Sequence, residues 1–440
     1  MKENEPCNRS DDKGHPRIGI YIGRGTSHSW LWFVEVFDRI GFFDLAFLTE
    51  TELRGDGLDR CDVLAMSGGD TFAIAKGLGP EGADKLARFI ANGGLYIGSC
   101  AGAYLPLHSS KEHLNLFNFV PAKIANLTRT LPEARRLREK FCTAYGCAYI
   151  FHPVREAVRL TTNGFAPFKK APSLDAPLYG GPPLIAGGSA QVLATYSGFT
   201  EKTVFLVDKK LASDTLLGKA AVIRQKMGQG YLHLYGPHFE HPRFTVANQL
   251  LTDAMLYDVR PDPVQIHETI ASEEIICGEA CRNLLKNIKR EISNARIVAV
   301  GLETLPVQWT IGNKLYETAK IREFIEPVWR RIKRLEKLNR MRLLPGQAGR
   351  LLQVASETTA LLREVKRDLK SGIDTLYKAK DLFERLNRTS ALFLEIYFRT
   401  KRMGDSRIKE FRDGQQRLSS GFLPDHQGRV CLRRCRYRSP

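Results

Sequence analysis

The sequence predicts an α/β unit with a doubly wound, mostly parallel sheet, followed by an all-α C-terminal region. Three observations carry this. From Arg17 to about Arg260, short apolar runs alternate with amphipathic helical patterns, the order that builds a parallel sheet covered on both faces. After Arg260 the periodicity is helical almost throughout. Charge divides at the same place: of a formal +18, residues 261–440 hold 36 Lys and Arg against 22 Asp and Glu, a net of +14, which leaves +4 on the first 260.

RIGIYIG, from Arg17, reads as the first strand. SHSWLWFVEVFDRIG then places Trp30, Phe33, Val34, Phe37 and Ile40 at helical spacing, with Ser27 as N-cap. DLAFLT and CDVLAM read as strands two and three, the latter closed by SGGD. EGADKLARFIANGG is an amphipathic helix with a glycine stop, and LYIG is the fourth strand. Residues Asn163 to Gly188 are rich in Pro and Gly and read as loops near the top of the sheet. VLATY, TVFLVD, AAVIRQ and GYLHLYG read as later strands, and PRFTVANQLLTDAMLYDV as a closing helix.

PDPVQ reads as a linker. Beyond it, helices are expected over Gln265–Ser293, Gly312–Arg342, Gly346–Lys370 and Gly372–Arg402. In the third, Leu351, Leu352, Val354, Leu361, Leu362 and Val365 alternate with charge in a pattern fit for packing on a neighbour, and such helices form a bundle or hairpin array. The expected organisation is a disordered N-terminus over 1–16, the α/β domain over 17–260, a basic helical domain over 261–403 and a basic disordered tail over 404–440.

Hydrophobic content of 43% and charged content of 26% are ordinary for a soluble globular protein. No uncharged apolar run approaches the ~20 residues that span a bilayer, and the polar first residues lack the apolar core of a secretory signal, so a cytoplasmic location is expected. Nine cysteines are too sparse for a disulfide scaffold. Cys277 and Cys281 stand at i,i+4, and Cys142/Cys147 and Cys431/Cys435 are loosely paired, without the grouping zinc requires. They read as reduced packing residues, and no metal or cofactor is expected. The basic C-terminal region suits a protein partner or a polyanion.

Sites in a doubly wound sheet form beyond the carboxyl ends of the strands. Three such ends carry chemistry: SGGD (Ser67–Asp70), GSCAG around Cys100, and GPHFEHP (Gly236–Pro242). GSCAG has the form of a nucleophile elbow, where a sharp strand-to-helix turn lifts a side chain above the sheet. A helix N-terminus beneath the thiol favours thiolate. The Ala101 amide is placed to donate to an oxyanion, and Gly68 and Gly69 let a second amide approach a ligand, with Asp70 closing that loop. His238 and Glu240, two apart, supply a base and the acceptor that orients it. His241 remains a second candidate for the base. Against this stands the bland alternative, a small core cysteine between glycines and a polar loop histidine.

MSGGDTFAIAKGLGPEGADKLARFIANGGLYIGSCAGAYLPL, together with YGGPPL (Tyr179–Leu184) and the late Gly-Pro-His-x-Glu, resembles the amino-terminal domain of eukaryotic biotin–protein ligases and their free-standing bacterial relatives, within the class I glutamine amidotransferase-like superfamily. The resemblance covers roughly Arg17–Val259. It implies that superfamily's flavodoxin-like sheet, a triad at Cys100, His238 and Glu240, and oxyanion donors at the Gly69 and Ala101 amides. No phosphate loop of the form Gly-x4-Gly-Lys-Ser/Thr follows and no biotin ligase catalytic domain is recognisable, so biotinylation is not expected. Two function classes stand: a cysteine-dependent amidohydrolase or amidotransferase-like protein acting on a small amide or acyl substrate, or a non-catalytic regulatory module whose basic helical domain engages a protein, nucleic acid or membrane surface.

Overall fold

The computed structural model describes residues 15–131, 133, 149–259 and 273–419, with side chains described to Arg402. The first unit opens with strands β1 (Ile18–Tyr21), β2 (Leu45–Leu48), β3 (Val63–Met66) and β4 (Leu95–Ser99), interleaved with helices α1 (Trp30–Ile40), α2 (Glu50–Arg54), α3 (Thr71–Ala91) and α4 (Ala101–Tyr104). β1, β3 and β4 are buried at every position. That is why they read as unbroken apolar runs, since helices cover both faces of a parallel sheet.

The unit continues through β5 (Lys123–Ile124), β6 (Val154–Thr162), β7 (Ser173–Leu178), β8 (Leu184–Ile185), β9 (Gln191–Phe199), β10 (Val204–Phe205), α5 (Lys209–Leu216), β11 (Ala220–Met227), β12 (Gly230–Tyr235) and α6 (Thr245–Asp258). The main path across the sheet runs β10-β6-β9-β11-β12-β4-β3-β1-β2. β12 lies parallel to β4, with Tyr235 opposite Ser99; from β12 to β11, β9, β6 and β7 the pairing is antiparallel. The sheet is therefore mixed, and its parallel part carries the two strand ends that matter: the register brings the residues after Tyr235 beside those after Ser99.

The stretch expected to be loops, Asn163 to Gly188, contains β7 and β8. Pro177 misleads there; β7 pairs within the sheet with β6 alone, a sheet-edge position that tolerates proline. The N-cap position of α1 falls on Ser29, which makes no side-chain cap bond, while the expected cap, Ser27, donates its hydroxyl to the Gly68 carbonyl at 3.0 Å and accepts the Ser29 N–H at 3.4 Å. α1 buries Trp30, Leu31, Phe33, Val34, Val36 and Phe37, apolar around much of its circumference because a second unit covers the face turned from the sheet.

That unit comprises β13 (Glu274–Cys277), α7 (Gly278–Glu303), β14 (Gln308–Ile311), β15 (Lys314–Glu317), α8 (Ala319–Leu338), β16 (Arg340–Leu343), α9 (Gln347–Lys370) and α10 (Leu376–Ser419). It is mainly helical but not all-α. The helix expected over Gly312–Arg342 resolves into the second arm of the β14–β15 hairpin, α8 and β16, which pairs with β13. Gly312 takes φ 64° at the two-residue turn, a conformation glycine adopts without strain and hairpins require. α7 starts at Gly278 and runs to Glu303, past the expected end at Ser293. α10 continues to Ser419, so 404–419 of the expected tail is helical. The rest of that tail, residues 1–14, the PDPVQ linker and Cys142/Cys147 lie outside the described residues.

The two units share one apolar core. Across it, the buried Arg331 guanidinium pairs with Asp38 at 2.8 Å and Glu35 at 3.3 Å, Arg334 reaches Asp38 at 2.6 Å, and the Tyr397 hydroxyl donates to Asp38 at 3.1 Å. A buried guanidinium left without these carboxylates costs several kcal/mol, roughly 3–5. Among the described residues no helix is long and apolar enough to cross a membrane.

Candidate functional site

Cys100 sits between β4 and α4 with φ 50° and ψ −109°. A non-glycine residue held at positive φ costs of order 1–3 kcal/mol and persists only where its surroundings over-determine it. Here they do: the Cys100 N–H donates to the Tyr235 carbonyl at 3.0 Å and the Gly102 N–H to the Ser67 carbonyl at 3.1 Å. The flanking glycines are needed for packing. A Cβ on Gly102 would fall 2.1 Å from the Met66 carbonyl oxygen, and one on Gly98 would fall 2.3 Å from the Gly102 carbonyl oxygen. α4 is a single turn of four residues, so the dipole expected beneath the thiol is small.

Past β12, the His238 N–H donates to the Pro177 carbonyl at 2.8 Å. Its Nδ1 lies 2.7 Å from Glu240 Oε1. Glu240 is fully buried, and the same oxygen accepts from the Ser99 hydroxyl at 2.5 Å and the Ser67 hydroxyl at 3.3 Å. Ser67 Oγ also lies 2.7 Å from Ser29 Oγ, which continues to Ser27 Oγ at 2.8 Å. Burial alone would lower the His238 pKa; Glu240 and then Cys100 outweigh it and push the imidazole up to about 10. The Cys100 thiol donates to the Tyr179 carbonyl at 3.7 Å.

His241 is placed differently. Its ring stands 4.4 Å from that of Trp32 and its Nδ1 accepts the Arg243 N–H at 3.3 Å. Burial, Arg243 and His238 push its pKa down to about 3. The structure therefore brings His238, and not His241, against Glu240.

Gly68, Gly69 and Asp70 border the same space as Cys100 and Ala101. Among the described residues the Gly69 amide donates to no backbone acceptor, and the Ala101 amide opens α4, where no intrahelical carbonyl serves it. Asp70 does something the sequence did not announce. Its Oδ1 caps α3 by accepting from the Phe72 and Ala73 amides, while its Oδ2 accepts the Asn313 N–H at 2.8 Å. That bond ties the hairpin of the C-terminal unit over the site.

The cavity so enclosed measures about 950 Å³. Cys100, Gly69, Ala101 and His238 line it from one side, and Asn313, Lys314, Tyr316 and Lys320 from the other. Burial lowers the Lys314 pKa to about 8; Cys100 and Asp70 attract its ammonium and Lys320 repels it. His28 also borders the cavity, buried, with neither ring nitrogen partnered among the described residues and its pKa well below the usual value, first through burial. Sequence reasoning missed Lys314, His28 and the Tyr179 carbonyl. Only the Gly-Asn turn between β-prone residues was a usable signal. Among the described residues no group of three or more His, Cys, Asp and Glu stands ready to hold a metal ion, and Cys61, Cys100, Cys277 and Cys281 are free thiols.

Residues 18–113 match the family model described as biotin-protein ligase, N terminal. The matched stretch includes Gly68, Gly69, Asp70, Cys100 and Ala101 and stops well before His238 and Glu240. It agrees with the α/β sheet described above, to which the mainly helical region is appended. No curated protein matches the chain. Solved structures similar to it include a beta-galactosidase from Bacillus circulans sp. alkalophilus, 11% identical over 56% of this chain and 32% of that one, TM-score 0.31. Others are a cold-adapted beta-galactosidase from Rahnella sp. R3, 10% identical over 55% and 31%, TM-score 0.33, and an exo-beta-1,4-mannosidase from Opitutaceae bacterium strain TAV5, 10% identical over 56% and 37%, TM-score 0.31. The chain spans about a third of each of these proteins, and likeness at this level carries neither their fold nor their activity to it.

Proposed function

We propose that this protein is a cysteine-dependent amidohydrolase or amidotransferase-like enzyme. The observation that carries the reading is His238, bonded to buried Glu240 through Nδ1 at 2.7 Å and raised in basicity by Glu240 and Cys100 together. His238, raised in basicity, already holds the proton that the sulfur gives up, and the Cys100 sulfur bonds as thiolate to the carbonyl carbon. The carbonyl π pair moves to oxygen, where the Gly69 and Ala101 amides receive it; one such donor is worth about 10²–10³ in rate in studied hydrolases. The oxyanion collapses, the C–N bond breaks, and His238 returns its proton to the leaving nitrogen. Water, losing a proton to His238, then cleaves the thioester, releases the acid and restores the thiolate beside the protonated imidazole; an amine in its place completes a transfer. Glu240 holds the imidazole in one tautomer throughout.

The test is site-resolved alkylation. Iodoacetamide at pH 7 modifies Cys100 at least tenfold faster than it modifies N-acetylcysteine, and His238→Ala removes the advantage. A glutaminase among such enzymes would also release ammonia from glutamine and lose that activity in Cys100→Ala. The thiol's low exposure of 8% and its bond to the Tyr179 carbonyl favour the second reading, a binding module without chemistry. That reading prevails if Cys100 reacts no faster than the free thiol and Cys100→Ala leaves every phenotype unchanged.

A further inference from the structure

Lys314 is the first residue of β15, immediately after the hairpin turn, and it enters the same cavity as Cys100. Its position is fixed from both sides. Asn313, next to it, binds the Asp70 carboxylate through its main-chain N–H at 2.8 Å and through its side-chain amide at 3.3 Å. Asp70 in turn follows Gly69 directly. The hairpin therefore hangs from the loop beside the thiol.

The Lys314 ammonium is half-buried, yet among the described residues no carboxylate lies within ion-pair distance of it. Its nearest directional contact is the Tyr316 ring, 5.7 Å from Nζ to the centroid. Lys320, lining the same cavity, is a second half-buried ammonium whose charge acts against it. Two such groups turned into one space repel each other and are poorly solvated; an anion between them relieves both costs. The wider lining agrees, with eight Lys and Arg against five Asp and Glu, which draws in an acidic ligand rather than a neutral one.

Resting on the cysteine-enzyme reading above, we propose that Lys314, with Lys320 beside it, is the recognition site for a carboxylate carried by the substrate near the acyl group that Cys100 attacks. The C-terminal unit thus supplies specificity to a nucleophile belonging to the first unit. A carboxylate paired with a desolvated ammonium makes a charge-assisted hydrogen bond that a neutral amide cannot match.

Iodoacetate and iodoacetamide test this, because both alkylate through the same CH₂–I carbon and differ only in carboxylate against amide. Any contribution of Lys314 to the thiolate population acts on both reagents and cancels in their rate ratio. For Cys100 the iodoacetate-to-iodoacetamide ratio is expected at least fivefold above that of N-acetylcysteine. Lys314→Met brings it down to the free-thiol value, Lys314→Arg keeps most of it, and Lys320→Met lowers it by a smaller factor. A wild-type ratio no higher than the free thiol's, or one that Lys314→Met and Lys320→Met both leave unchanged, overturns the proposal. The nucleophile reading fails separately, on the absolute iodoacetamide rate of the wild-type protein.

Discussion

Cys100, His238 and Glu240 are held from behind by buried hydrogen bonds from neighbouring strands, whereas Asn313 and Lys314 sit at the tip of a hairpin whose polar tether to the first unit is Asp70. The first arrangement is rigid because displacing it breaks buried hydrogen bonds or drives atoms together, although Glu240 Oε2 is itself buried without a partner among the described residues. The second is held by the core its own unit shares with the first, plus one carboxylate at its tip. The difference teaches that the reacting residues and the groups facing them are separable: one set depends on sheet register, the other on how an appended unit docks.

Gly102→Val attacks the rigid side and has the largest expected effect. Its Cβ would meet the Met66 carbonyl oxygen at 2.1 Å, and backbone cannot step aside cheaply, so a loss of about 4 kcal/mol or more is expected in urea unfolding. A loss under about 1 kcal/mol would break the claim of rigidity. His238→Ala comes next, slowing alkylation of Cys100 about 10–100-fold, equivalent to about 1.4–2.7 kcal/mol.

Asp70→Ala sharpens the contrast. Removing the α3 cap costs about 0.5–2 kcal/mol. Hydrogen exchange at the Asn313 amide should quicken at least tenfold while the Cys100 amide, bonded to the Tyr235 carbonyl, keeps its protection. Equal loss at both amides would mean that the two sides are not separable.

The gentlest effect, per pH unit, is a slope to which two neighbouring histidines give opposite signs. Folded His241 resists protonation down to about pH 3 against an ordinary 6.5, so its contribution is complete above about pH 6.5 and is lost as pH falls toward 3. Folded His238 keeps its proton to about pH 10, so its contribution is complete below about pH 6.5 and is lost as pH rises through 10. Each slope is at most about 1.4 kcal/mol per pH unit. Urea midpoints at pH 5, 6.5 and 9 check this: His241→Phe flattens the acid limb and His238→Gln the alkaline one.

The parallel strands and the elbow were legible because each is dictated locally. Apolar runs mark strands buried on both faces, and the glycines of GSCAG are demanded by carbonyl oxygens within reach of a missing Cβ. GPHFEHP was joined to that elbow by its place after a strand and by the family resemblance, whereas the choice between His238 and His241 needed the bond to Glu240. The antiparallel part was less legible: β6 carries charges at half-exposed positions and β7 contains Pro177. The hairpin was missed for two reasons. The spacing of Ile321, Phe324 and Val328 belongs to α8, and extending it back to Gly312 took in the second arm of the hairpin; the Asn313 tether has its partner 243 residues earlier in the chain. The Tyr179 carbonyl, being main chain, has no signature in a sequence at all.

The bond between Asp70 and Asn313 also has a meaning in time. A ribosome adds about 5–20 residues per second, so roughly 4–15 seconds separate the synthesis of Glu240 from that of Asn313. Throughout that interval the thiol, imidazole and carboxylate have all been made while the residues that face them across the cavity have not. The hairpin and then α8, which supplies Lys320, Glu323 and Arg330, are the last pieces of the cavity to be made, so the wall that faces the thiol is built after the wall that bears it.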